Sequence, residues 1–370
     1  MNELLEKFDY WLKDGSEIAA ITMRRRLESV EGKDGIIFPP TYPIENNKAG
    51  YNIDELNEKS NICQIDSVGS QANRMEPIFM HAPYSNLVPN VSIKAMVDGK
   101  ERSVNILEAG HRAADAIIRF STLGPKIHEA FQTIKNIGDA SLLAKIAPTS
   151  LVFGVWDSQS TQIKLPRILR SVIRAYNVCE LKRSAQYTTI AGEILEGPDV
   201  EITTKGTKAE LGLAHVPAVR THGGVLVQGE IRQEASLNLV AVRTLAAAPD
   251  RDDDTLKLRR YILGLALVCL TAPQEMSLRE GCQLIPDETF VAEWKLVKHN
   301  GKRETISLLH KDVLDYATLA ANTYGVEKNI LGEFDSKLAN QVRNLQEKDR
   351  KALLRQGPVT NETIKKFKKS

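Results

Sequence analysis

Residues 64–79 read QIDSVGSQANRMEPIF. A short apolar-alternating segment runs into Gly69-Ser70-Gln71 and then into a helical pattern that carries Asn73 and Arg74 in its first turns. A glycine at such a junction permits close backbone approach, and a helix start presents unpaired N–H groups that favour an anion. Ser70, Gln71, Asn73 and Arg74 together offer polar donors and one fork-shaped cation, a set suited to sugar and phosphate oxygens. The same residues also fit a turn, an N-cap and a surface arginine, so both readings stand at this point. No Walker lysine follows, and a nucleotide-triphosphatase loop is unsupported.

A second concentration lies in STQIKLPRILRSVIRAYNVCELKRS, where Lys164, Arg167, Arg170, Arg174, Lys182 and Arg183 stand against the single Glu180. With Pro166 at the favoured first position of a helix, Arg167, Arg170 and Arg174 fall at i, i+3 and i+7 on one helical face. Trp156 and Tyr176 are close in sequence, and basic side chains interleaved with aromatics suit single-stranded nucleic acid. A solvated basic face is the plainer alternative. His215 and His222 flank VPAVRT at an interval that suits neither strand nor helix ligation, so no metal is expected there. The acidic loop PDRDDD lacks the spacing and closing glutamate of a calcium loop. No G-x-S-x-G or H-E-x-x-H occurs, and hydrolase chemistry has little to stand on.

The elements that must position these residues alternate between strand and helix without a regular βαβα period, which predicts an α+β fold with an antiparallel sheet. The first fifteen residues read as an amphipathic helix, and EIAAITMRRRLESV as a strand with a basic outer face. A Pro-rich loop over 38–51 follows, of the length that often carries function. NICQIDSV reads as a strand and APTSLVFGVWDS as a buried strand. PRILRSVIRAYNV, ASLNLVAVRTLAA and TLKLRRYILGLALVCLTA read as helices, and hairpins are predicted at Asp98-Gly99 and Asn300-Gly301. The chain then reads as helical up to a basic tail over 343–370, within one elaborated domain spanning 1–370.

Composition narrows the classes further. Forty-nine Lys+Arg against 47 Asp+Glu leave a formal +2, so any polyanion site must come from local clustering. The four cysteines, Cys63, Cys179, Cys269 and Cys282, are far apart and form no C-x-x-C pair, which predicts reduced core thiols. The N-terminus lacks a signal-peptide core, and the longest apolar run, 261–272, is short of a membrane span. A cytoplasmic protein without membrane contact is expected.

In order along the chain, SVGSQANRMEPIF, APTSLVFGVWDS, KLPRILRSVIRAYNV, GLAHVPA and LRRYILGLALV resemble the backbone subunit of the type I-G (I-U) CRISPR interference complex, a member of the RAMP superfamily. The likeness covers roughly 20–309, with Met75 where the family pattern has Leu. It implies a modified RRM-like (ferredoxin-like) antiparallel palm with inserted finger and thumb elements and a helical C-terminal region. It also implies binding of CRISPR RNA without catalysis or cofactor, pairing with target DNA through the guide, and contacts with copies of itself and with other subunits of the complex. A guide has to be gripped through its backbone, because its bases must stay free. The candidate RNA-contacting set is Ser70, Gln71, Asn73, Arg74, Arg24, Arg26, Trp156, Lys164, Arg167, Arg170, Arg174, His222, Gly223 and Gly224. The alternative is a RAMP-type RNA endonuclease, for which His215, His222 and Asp157 are the available acid–base groups.

Overall fold

The computed structural model describes residues 2–43, 49–57, 60–249 and 251–367. The middle of the Pro-rich loop, Asp250 of the acidic loop and the last three residues of the basic tail lie outside the described residues. The protein is mixed α+β, and its frame is a nine-stranded antiparallel sheet among the described residues. The sheet is built from β1 (Ile18–Ser29), β2 (Ile53–Asn57), β3 (Ser60–Asp66), β4 (Leu169–Tyr176), β5 (Ile231–Asn238), β6 (Met276–Arg279), β7 (Cys282–Pro286), β8 (Glu293–Lys298) and β9 (Arg303–Thr305).

Across the sheet the order is β6–β7–β1–β5–β4–β3–β2. β8 pairs with the first half of β1, β7 with its last three residues, and β9 with β8. Bulges near Ile18–Ala20 and at Ile173–Arg174 curl the sheet. Alternation decides the faces. Ile21, Met23, Leu27, Leu169, Ile173, Ala175, Ala235 and Leu237 are buried on one side, while Arg24, Arg26, Arg170, Arg174, Arg232 and Glu234 point to the other.

Helices cover the apolar side. α1 (Val68–Met75) follows β3, capped by Ser67, whose side chain accepts from Ser70 N. α2 (Asp252–Thr271) is buried almost all round, as its apolar sequence requires, with three aspartates in its first turn. α3 (His310–Tyr324) packs along it so closely that a Cβ on Gly264 would meet Ala317 Cα at 3.0 Å. A smaller three-stranded sheet joins Asn90–Val97 to Lys100–Asn105 and, in parallel, to Asn329–Glu333. The Asp98-Gly99 turn has positive φ at both residues, as its sequence predicts for a tight hairpin. The Asn300-Gly301 hairpin between β8 and β9 is also present.

Several expectations are corrected. LRSVIRAY is the strand β4, not a helix: Leu169, Ser171, Ile173 and Ala175 face the core and Arg170 and Arg174 face out, a period of two. SLVF is not a strand but part of a fully buried helical turn, Thr149–Phe153, closed by Gly154 at φ +77. ASLN ends β5, and Asn238 then caps a short helix over Leu239–Arg243. The opening helix is broken into two short pieces, Asn2–Glu6 and Asp9–Leu12.

Between β4 and β5 the chain leaves the sheet as a two-stranded arm, Val178–Tyr187 paired with Val216–Val227. Asn61 clamps its root, donating to Val178 O at 3.0 Å and accepting from Val178 N at 2.7 Å. Beyond β9 and α3, three more helices, α4 (Ser336–Arg343), α5 (Glu347–Gln356) and α6 (Asn361–Phe367), close around a core of their own. No helix among the described residues is long and apolar enough to cross a membrane.

Candidate nucleic-acid interface

The outward side chains of β8, β1, β5 and β4 line a groove of about 420 Å³. Register sets its rows. Lys295, Thr22, Ser236 and Arg170 lie abreast; next come Glu293, Arg24, Glu234 and Val172; then Arg26, Arg232 and Arg174, with Gln64 of β3 beyond. Arg303 completes the rim. The first row sets two hydroxyls between two cations, which suits phosphate and sugar oxygens.

Glu234 is the electrostatic centre of this face. It pairs with Arg24 at 3.2 Å, Arg232 at 3.5 Å and Arg174 at 3.6 Å, and accepts from Tyr176 OH at 3.2 Å. One carboxylate therefore holds three guanidiniums in place and leaves a positive surplus. Glu230 does the same for Arg26, at 2.8 Å, and for Arg232. Arg170 and Arg303 have no ion pair among the described residues, whereas Arg24 and Arg174 of the same groove are paired with Glu234. Arg232 caps the Tyr176 ring at 4.4 Å, which removes that face from base stacking.

At the entry to β4, Trp156 is 60% exposed, with Lys164 Nζ 5.7 Å from its ring centre across a two-residue strand pair. Arg167 donates to Phe153 O at 3.1 Å, and burial, then the neighbouring Arg112 and Arg170 cations, lower its pKa. The structure thus gathers Arg24, Arg170 and Arg174 in one groove, with Arg26 beside it and Trp156, Lys164 and Arg167 at the start of β4.

The opening motif is on the opposite side. Gln71 is buried: its Nε2 donates to Asp66 Oδ2 at 2.7 Å, and its Oε1 accepts from Ser171 Oγ at 2.8 Å and Gln233 Nε2 at 3.1 Å. Ser171 and Gln233 are inward-facing residues of β4 and β5, so α1 lies on the back of the sheet. Arg74 donates to Asp66 at 3.1 Å and to Leu278 O at 2.8 Å. Asn73 is exposed but reaches Arg112 at 3.4 Å, and Arg112 is buried against Glu76 at 2.7 Å. Gln71 and Arg74 are therefore fastened within the fold, while Ser70 and Asn73 keep surface access.

His222, Gly223 and Gly224 lie inside the returning strand of the arm. A Cβ on Gly223 would strike Leu181 backbone at 2.8 Å, and one on Gly224 would strike Ile36 Cγ2 at 2.5 Å. Gly223 thus admits the close approach of the arm's outgoing strand, and Gly224 that of the segment before the Pro-rich loop, where Ile37 and Val225 exchange backbone hydrogen bonds; Gly224 N also donates to Tyr51 OH at 3.0 Å. His215 accepts from Thr189 N at the far end of the arm, and Asp157 is buried with Thr161 and Arg119. The three acid–base candidates are thus spread over two separate regions.

Sequence reasoning missed Thr22, Arg232, Ser236, Lys295 and Arg303. The available signal was period-two alternation, which puts Thr22 outward in IAAITMRRRLES, Lys295 outward in EWKLVK, and Arg232 and Ser236 outward once RQEASLN is read as a strand.

A curled antiparallel sheet with one open, arginine-rich face and helices behind it defines a mixed α+β protein. Residues 21–180 match the family described as CRISPR-associated protein GSU0053 (Cas_GSU0053). That span holds β1, α1 and β4 but neither β5 nor α2. Among solved structures, a chain described as "CRISPR RNA-guided surveillance complex, pre-nicking" is similar at 8% identity, covering 83% of this chain and 90% of that one with a TM-score of 0.32. That likeness is too remote to carry an argument. No curated protein matches the chain.

Proposed function

We propose that the protein is a non-catalytic backbone subunit of a CRISPR interference complex, gripping guide RNA along the open face of its sheet. The observation that carries this reading is the groove of Arg24, Arg170, Arg174, Lys295 and Arg303, with Thr22 and Ser236 between the cations. It offers donors to a phosphate backbone and no pocket for a particular base, as a scaffold for guides of any sequence requires. The order β8–β1–β5–β4, with α1 in the connection from β1 to β4 and α2 in the connection from β5 to β8, supports an RRM-like palm in which the arm is the inserted thumb. The family match over 21–180 points the same way.

The arm supports self-association along the RNA. Its far end carries a helix over Ile190–Glu196 whose Ile190 and Ile194 are 74% and 79% exposed, with Leu195 and Leu211 nearby. Apolar surface of that kind marks an interaction site. A palm of this size spans a handful of nucleotides, so several copies in a head-to-tail array would cover one guide.

The test is purification from cells that express a CRISPR array. The protein should carry RNA of defined length, and its mass should grow in steps with guide length. Arg170→Glu with Lys295→Glu should strip the RNA while the fold, read by circular dichroism, is kept. Full RNA retention by that variant overturns the groove reading.

A further inference from the structure

The C-terminal helices carry a feature that the groove does not absorb. Residues 336–370 hold ten Lys/Arg against three Asp/Glu, so the rest of the chain has 39 against 44 and is net acidic. Leu338, Val342, Leu353, Leu354, Val359 and Ile364 form the core of this module, and Phe120 packs against it from the body. Asp335 ties it down through Leu338 N and Asn361. Its cations take no part in that attachment.

We propose that the exposed face of α5 and α6 is a second polyanion site, for the phosphate backbone of a nucleic-acid duplex. On α5, Lys348, Lys351 and Arg355 fall at i, i+3 and i+7 on one exposed face, and Lys365 and Lys366 are exposed on α6. Within 336–367, the single ion pair among the described residues is the surface contact between Lys351 and Glu347. The groove differs, because there Glu230 and Glu234 already neutralise part of the charge. Uncompensated surface cations release the counterions of a nucleic acid most fully on binding. The strand type follows from what the module lacks. Phe367 is its one aromatic residue, and it packs on the module's core. Single-strand sites rely on stacking platforms, whereas a duplex backbone needs cations alone.

This surface is independent of the groove reading, because duplex binding is measured without guide RNA. The experiment uses the full chain, a labelled mixed-sequence DNA duplex and a single-stranded RNA of equal length. Lys348→Gln, Arg355→Gln, Lys365→Gln and Lys366→Gln together keep helix formers in place. They should weaken duplex binding at least tenfold and flatten its log–log salt slope by about 3 to 4 units, at roughly 0.9 per phosphate. Binding of the single strand should fall far less, and Arg170→Glu with Lys295→Glu should show the reverse pattern. An unchanged duplex affinity and slope overturns the proposal. So does a loss confined to the single strand, which would assign the module to RNA.

Discussion

Glu234 and Glu76 show how differently one carboxylate can serve. Glu234 lies on the open face, and the guanidiniums it holds are the ones a phosphate would approach. A bound polyanion must compete with it. Glu234→Gln should therefore tighten RNA binding several-fold at low salt and steepen its salt dependence, by filter binding across a salt series. Weaker binding would mean that Glu234 acts mainly by orienting the arginines. Glu76 is buried, and desolvation raises its pKa against the pull of Arg112. Removing the cation leaves an uncompensated acid in the core, so Arg112→Met should cost about 3 to 5 kcal/mol in denaturant unfolding. Adding Glu76→Gln should recover part of that loss. A cost under about 1 kcal/mol would place the pair in effective contact with water.

Among elements, the arm and β4 carry the most consequence. Sheet pairing of β4 with β5 sets Arg170 abreast of Ser236 and Arg174 abreast of Arg232, and a helix there would have scattered them. The arm leaves and rejoins the sheet at the end of this same pair, which makes it an insertion that the palm can tolerate. Because its exposed isoleucines touch nothing that the core needs, Ile190→Asp with Ile194→Asp should leave the melting temperature of the free chain unchanged within about 0.5 kcal/mol of stability. The variant should bind short RNA normally and fail to form higher assemblies on long RNA in mass photometry. Normal assembly would move the self-association surface elsewhere.

Taken whole, the molecule holds charge in separate districts: a partly neutralised groove in front, a fastened polar network behind and an uncompensated basic module at the C-terminus. Its pH response follows from two half-buried histidines. Burial lowers the pKa of His310, which is hydrogen-bonded to Tyr84 and Thr271, and of His128 beside Ser160. A base with a depressed folded pKa takes up its proton first in the unfolded chain. The stability it contributes is thus complete above about pH 6.5 and declines as pH falls toward the folded values. The ion-paired acids Glu17 and Glu304, whose pKa values are lowered by Lys298, add a second decline only in the carboxylate range. Melting temperatures should fall from pH 6.5 to 5, and His128→Gln with His310→Gln should flatten that limb. A flat wild-type profile would contradict both assignments.

Local chemistry was legible in the chain wherever short range decides it. Period two in IAAITMRRRLES specified β1, Asp98-Gly99 and Asn300-Gly301 specified their hairpins, and the apolar run after Arg259 specified a buried helix. The spacing of Arg170 and Arg174 satisfied helix and strand alike, and a preceding proline tipped the reading the wrong way. The buried run at 149–153 was equally ambiguous, because a fully enclosed segment has no exposed face to set its period. No spacing in the sequence could place Gln71 and Arg74 behind the sheet and Arg24, Arg170 and Arg174 in front of it. That separation arises because strands distant in sequence pair edge to edge, and each pairing commits alternate side chains to opposite faces. It is a property of the assembled sheet, which no single segment contains.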